Sequence, residues 1–137
     1  VSEKTDAVGN QVPSRWSEEG LRRSTGFVRA YALMAEAAST PDRLVTYGEI
    51  GELVGASSGS LMGRVVGIVL GLVTDQERAA GRPMLSAVVV SKTTNRPGPG
   101  FYGLATTYGR LPADATEADR IAFWEAELAA VRAAWSA

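Results

Sequence analysis

VTYGEIGELVGASSGSLMGRVVGIVLGLVTDQER, residues 45–78, is the stretch whose reading decides the fold. Thr46 followed three residues later by Glu49 predicts a capping box. Ile50, Leu53 and Val54 then form an apolar stripe, and Gly55 stops the helix, which gives a span of 46–55. Ala56-Ser57-Ser58-Gly59 reads as a turn, with Ser60 as a second N-cap and a helix over 60–78. Two helices joined by a tight Gly/Ser turn make a helix-turn-helix candidate.

Toward the N-terminus, residues 1–16 are polar, aperiodic and interrupted by Gly9, Asn10 and Pro13, so they read as a flexible arm. Ser17 with Glu18 and Glu19 starts a helix over 18–38, with a restart possible at Thr25-Gly26. Pro41 ends that helix, because it disfavours helix at Thr40. Leu44-Val45 suits a very short strand. Toward the C-terminus, Leu85–Ser91 has buried-strand composition, and Thr93–Gly100 reads as a hairpin loop. Phe101–Ala105 returns as a short strand or opens a turn. A hairpin over 84–105 directly after a helix-turn-helix is a wing. Ile121, Trp124, Leu128, Val131 and Trp135 recur at spacings of three and four, which predicts a helix over 116–135. The expected class is α+β, mainly helical: a winged helix-turn-helix with extra N- and C-terminal helices, in one domain over 17–137.

Composition narrows the chemistry. The chain has 137 residues with 45% hydrophobic, no cysteine and no histidine. That removes disulfides, Cys/His zinc sites, cysteine nucleophiles and imidazole bases. The missing cysteine and the polar start (VSEKTDAVGN) suggest a cytoplasmic protein with no membrane partner. Net charge is −1, yet residues 43–96 carry six basic and four acidic groups, which permits a local basic face.

Gly63, Gly67 and Gly71 lie four apart on the second helix. Each costs roughly 1 kcal/mol relative to alanine inside a helix, so the stripe needs an offsetting benefit. Close packing in the core is one, and close approach to a nucleic-acid backbone is the other. Arg64 is the one charge between Leu61 and Val73; it either snorkels at the surface or aims into a groove. Tyr47, on the first turn of its helix, is a half-buried packing residue or a hydroxyl for phosphate. Lys92 and Arg96 flank the loop that would be the wing tip. Ser86 suits a small residue in a core. No carboxylate set has metal-binding spacing, and no phosphate-binding G-x-x-x-x-G-K-[ST] loop occurs, so no metal or cofactor is expected.

Read together, residues 27–105 resemble the C-terminal DNA-binding domain of alkylguanine-DNA alkyltransferases and alkyltransferase-like proteins. Phe27–Ala37 is similar to the helix before that family's motif. Val45-Thr46-Tyr47-Gly48-Glu49-Ile50 resembles its V-x-[ST]-Y-G-x-[IL] entry, and Gly55 the glycine closing that helix. Arg64-Val65-Val66-Gly67-Ile68-Val69-Leu70 resembles the R-A-V-G-x-A-[LM] recognition helix. Leu85–Val90 stands in place of the P-C-H-R-V-[VI] strand, and Gly100-Phe101-Tyr102-Gly103 near a later G-x-Y segment. The resemblance implies a winged helix on the DNA minor groove, Arg64 entering the base stack beside a flipped nucleotide, and Tyr47 lying against that nucleotide's phosphate.

The departures are as informative. Ser86 stands where the alkyl-accepting cysteine would be, and a serine hydroxyl is a far poorer nucleophile than a thiolate. Ala87 and Val88 replace the histidine and arginine, and Thr74–Arg82 is an insertion-like stretch. The leading expectation is therefore a non-enzymatic, alkyltransferase-like protein on duplex DNA, with a modified or flipped base as a possible target. Its candidate contacts are Tyr47, Ser60, Gly63, Arg64, Gly67, Lys92 and Arg96. The alternatives are a protein–protein module on the same scaffold, in a phage, defence or repair assembly, and an enzyme of unrecognised chemistry.

Overall fold

A computed structural model describes residues 3–5, 11–56 and 59–136. Much of the expected arm, and Ser57-Ser58 of the expected turn, lie outside the described residues. Two short antiparallel strands, β1 (Glu3–Thr5) and β2 (Gln11–Pro13), pair with Lys4 opposite Val12. Trp16 is buried, and its indole Nε1 donates to the Val54 carbonyl at 2.9 Å.

The helical stretch expected over 18–38 restarts at Thr25 and is two helices, α1 (Glu18–Arg22) and α2 (Thr25–Ala38). The break has a local cause. The Ser24 hydroxyl accepts from Phe27 N at 3.0 Å and so caps a new helix. Phe27, Ala30, Met34, Ala37 and Ala38 repeat at helical spacing and form the buried face of α2.

Strand β3 (Val45–Thr46) leads directly into α3 (Tyr47–Leu53). The capping box forms: Thr46 Oγ1 accepts from Glu49 N, and the Glu49 carboxylate accepts from Thr46 N. Gly55 closes the segment with φ of 79°, a left-handed turn that suits glycine. Helix α4 (Gly59–Ala79) buries Val65, Val66, Val69, Leu70, Leu72 and Val73 against the rest of the core. Close approach of α3 to its neighbours rests on two other glycines. A Cβ on Gly26 of α2 would meet Leu53 O at 2.3 Å, and one on Gly51 would meet Ala56 O at 2.5 Å.

The expected hairpin over 84–105 is replaced by different structure. Leu85–Val88 forms one 3-10 turn, fully buried, and only Val89–Val90 extends as β4. Strand β4 pairs in parallel with β3, Val45 opposite Val89, rather than with a returning strand. The segment after the loop is a helix, α5 (Pro99–Thr107). Pro99 sits at the start, where its fixed φ and missing N–H cost nothing. Phe101, Leu104 and Ala105 fall at helical spacing and face inward. A wing therefore does not form from these residues, and the element class is mainly helical with two small sheets.

Helix α6 (Glu117–Trp135) is held by polar ties more than by a long apolar stripe. Thr116 and Asp119 make a second capping box. Arg132 donates to the carbonyls of Ala37, Thr40 and Arg43 at 2.8–2.9 Å, satisfying the open end of α2. Trp124 Nε1 donates to Ala87 O at 2.8 Å, which fixes the 3-10 turn. Buried Glu127 accepts from Met84 N at 2.8 Å and from both terminal nitrogens of Arg110. On the other side of the same segment, buried Glu77 accepts from Arg82 and from the Tyr31 hydroxyl. The insertion-like stretch 74–82 is thus the last turns of α4 and a connection clamped by two buried carboxylates. Among the described residues, no helix is long and apolar enough to cross a membrane.

Candidate functional site

The glycines of α4 are placed unlike those of α2 and α3. A Cβ built on Gly63, Gly67 or Gly71 would meet no atom within 4 Å. Gly63 and Gly67 are exposed. The core-packing explanation for this stripe therefore fails among the described residues: at Gly63 and Gly67 the helix forgoes side chains on an exposed face. Arg64 departs from the expected exposed arginine and is half-buried next to Gly63. Ser60 is exposed in the first turn of α4, inside the helix rather than at the expected cap.

Beside this face lies a cleft of about 350 Å³. Gly63, Val66, Gly67 and Leu70 of α4 form one wall, and Pro99, Phe101 and Leu104 of α5 form the other. Its size falls in the range of small-ligand sites, about 300–1,000 Å³. The walls are almost wholly apolar, and the polar side chains at the cleft are Tyr47 and Ser86.

Tyr47 is placed by the capping box, which sets it on the first residue of α3. Its hydroxyl oxygen accepts from Gly98 N, pinning the loop before α5 to α3. Burial pushes its pKa above the ordinary phenol value, against a smaller lowering by the Gly98 N–H. The phenol therefore keeps its proton at neutral pH, and that proton can be donated.

Ser86 lies at the base of the cleft and is 1% exposed. Thr74 Oγ1 donates to Leu70 O at 2.7 Å, so across the 3.1 Å contact it is Ser86 that donates to Thr74. A serine in this arrangement spends its proton on a neutral hydroxyl, which cannot take it away. The geometry makes Ser86 an acceptor and not an activated nucleophile.

Lys92 and Arg96 are exposed in the turn between β4 and α5, not on a wing. That turn is tied internally: Ser91 N donates to Arg96 O at 2.8 Å, and Asn95 takes φ of 60°. The structure thus brings Tyr47, Gly63 and Gly67 to one cleft, sets Arg64 beside it on α4, and leaves Ser60, Lys92 and Arg96 outside its lining. The α5 wall went unread in the sequence as a wall, although Pro99 followed by inward Phe101, Leu104 and Ala105 carries a helical signal.

A second, more polar cavity of about 500 Å³ is lined by Arg78, Arg82 and Arg110. Arg82 and Arg110 are committed there to Glu77 and Glu127, and Arg78 lies over the Tyr108 ring at 4.4 Å. Those groups hold the fold. Among the described residues, no group of three or more acidic, His or Cys side chains is placed to hold a metal ion. Comparison with protein-family models, with curated proteins and with solved structures gave no match.

Proposed function

We propose that this chain is a non-enzymatic DNA-binding protein of alkyltransferase-like type. It lays the glycine face of α4 against the minor groove of duplex DNA and takes an extruded base into the adjoining cleft. The observation that carries this reading is the uncovered glycine face flanking an apolar cleft. Three glycines cost about 1 kcal/mol each in helix propensity, and no packing among the described residues repays them. Local rules broken without a structural return mark functional surfaces. A bare helix face lets backbone lie close to a narrow groove.

The cleft suits a base removed from its stack. Such bases are held between apolar and aromatic side chains and read by a few hydrogen bonds. Phe101 and Tyr47 supply ring surface, and Ser86 supplies an acceptor. The Tyr47 proton is available to a phosphate oxygen at the rim. Arg64 is the candidate to fill the vacated space in the stack. Alkyl transfer has no support in this site, because Ser86 has no base to activate it.

Arg64→Ala tests the reading. Duplex affinity should fall by about 1–3 kcal/mol, the range of a good base contact, measured on a variant shown by thermal melting to be folded at the assay temperature. Affinity equal to wild type would remove Arg64 from the interface. The weak net charge of −1 favours a protein–protein module as the second reading, and absence of any salt-sensitive duplex binding would make it the conclusion.

A further inference from the structure

Next to Pro99 lies a groove of about 350 Å³, also lined by Thr94, Arg96, Pro97, Tyr102, Arg120 and Ile121. Pro99 borders both hollows. The groove joins two segments distant in sequence, the turn before α5 and the second turn of α6. We infer that it is a phosphodiester-binding subsite, in which Arg96 and Arg120 grip the backbone of the strand whose neighbouring nucleotide occupies the cleft. This inference rests on the DNA-binding reading and extends it to residues of α5 and α6.

Arg120 lies with its guanidinium 5.8 Å from the centre of the Tyr102 ring. Arg96 and Arg120 line the same groove as Tyr102, and the charge of each favours the ionised phenol. Burial is the larger effect and raises the Tyr102 pKa, so the hydroxyl stays protonated and can donate. Glu117 also lines the groove, leaving one positive charge in excess. Guanidinium forks match the geometry of phosphate oxygens, and a phosphodiester carries a single charge.

The backbone presenting these groups is fixed. The turn holding Arg96 is closed by Ser91 N to Arg96 O at 2.8 Å and by Thr94 Oγ1 against Arg96 N and O at 3.3 Å. Arg120 follows the Thr116–Asp119 capping box, and its N–H donates to Thr116 O at 3.0 Å. Both arginines are exposed, so their removal leaves the core intact.

The test is a duplex titration between 50 and 200 mM salt with wild type, Arg96→Ala, Arg120→Ala and Arg29→Ala, an exposed arginine on α2. Each phosphate contact contributes a slope of about −0.9 in log K against log salt. The affinity advantage of wild type over Arg96→Ala or Arg120→Ala should therefore shrink about 3.5-fold over that fourfold range of salt. Arg29→Ala should keep the wild-type slope. If wild type binds with salt sensitivity and the groove variants keep its slope, or if Arg29→Ala flattens it equally, the subsite is wrong while the docking face of α4 stands. If wild type shows no salt-sensitive binding, both fall together.

Discussion

Replacing Gly67 with alanine separates a packing role from a docking role, because the two demand opposite signs. Gly67 lies inside α4, and a Cβ there would meet nothing within 4 Å. No contact is lost and no clash is created. What remains is helix propensity, which favours alanine by about 0.8–1.0 kcal/mol. Gly67→Ala should therefore stabilise the fold by about that amount, a rise of about 3–5 °C in the thermal midpoint for a domain of this length. The same methyl holds the helix off any surface that approaches it. Duplex affinity should fall by about 1 kcal/mol, roughly fivefold. Thermal melts and fluorescence-anisotropy titrations on the same preparations give both numbers. A destabilised variant would show that the face is covered after all. A stabilised variant with undiminished affinity would show that the stripe does not dock.

Further outcomes follow from the buried polar ties, the phenols and Ser86. Arg110→Ala leaves Glu127, 3% exposed, without its cation and should cost about 3–5 kcal/mol. Glu127→Gln keeps an acceptor for Met84 N, and the half-exposed Arg110 rehydrates, so it should cost only about 1–3 kcal/mol; denaturant melts showing the reverse order would refute this account of the clamp. The phenols of Tyr31, Tyr47 and Tyr102 all titrate above their ordinary value, burial being the largest cause in each. A folded-state pKa raised above the unfolded one gives stability that is complete below about pH 10 and lost as pH rises through the folded values. Stability measured from pH 8 to 12 should be flat up to about pH 10 and then decline; a rise there would contradict the direction. Incubation with alkylated duplex should add no mass to the protein, and a stable adduct on Ser86 would overturn its reading as an acceptor.

What the sequence made legible was local. The Thr46–Glu49 box, the Gly55 stop and the long helix after it need only neighbours along the chain, and each stands within a residue or two of its expected place. The failures come from tertiary competition. Leu85–Val90 looks like one strand because its residues are apolar and partly β-branched, but burial on every side is what that composition records. Trp124 Nε1 claims Ala87 O, and β3 supplies the strand partner instead of a returning hairpin. Phe101–Ala105 reads equally as strand or turn until Pro99 is recognised as a helix start. Helix α2 starts at Thr25, where the sequence offers a restart, and only the Ser24 cap is missing from that reading. For the site, Tyr47 and the glycine stripe were visible as candidates, but their sense was not. Only coordinates show that Gly26 and Gly51 are the close-packed glycines, while Gly63 and Gly67 face open space. Arg120 was out of reach, since nothing local links α6 to the turn before α5.

The central claim is that the face of α4 and its cleft dock on duplex DNA. The slope of log Kd against log salt for the wild-type chain on a short duplex tests it most directly. Several phosphates neutralised together predict affinity that falls steeply and linearly, with about 0.9 of slope for each phosphate. A slope near zero, or no binding at low salt, would contradict the claim.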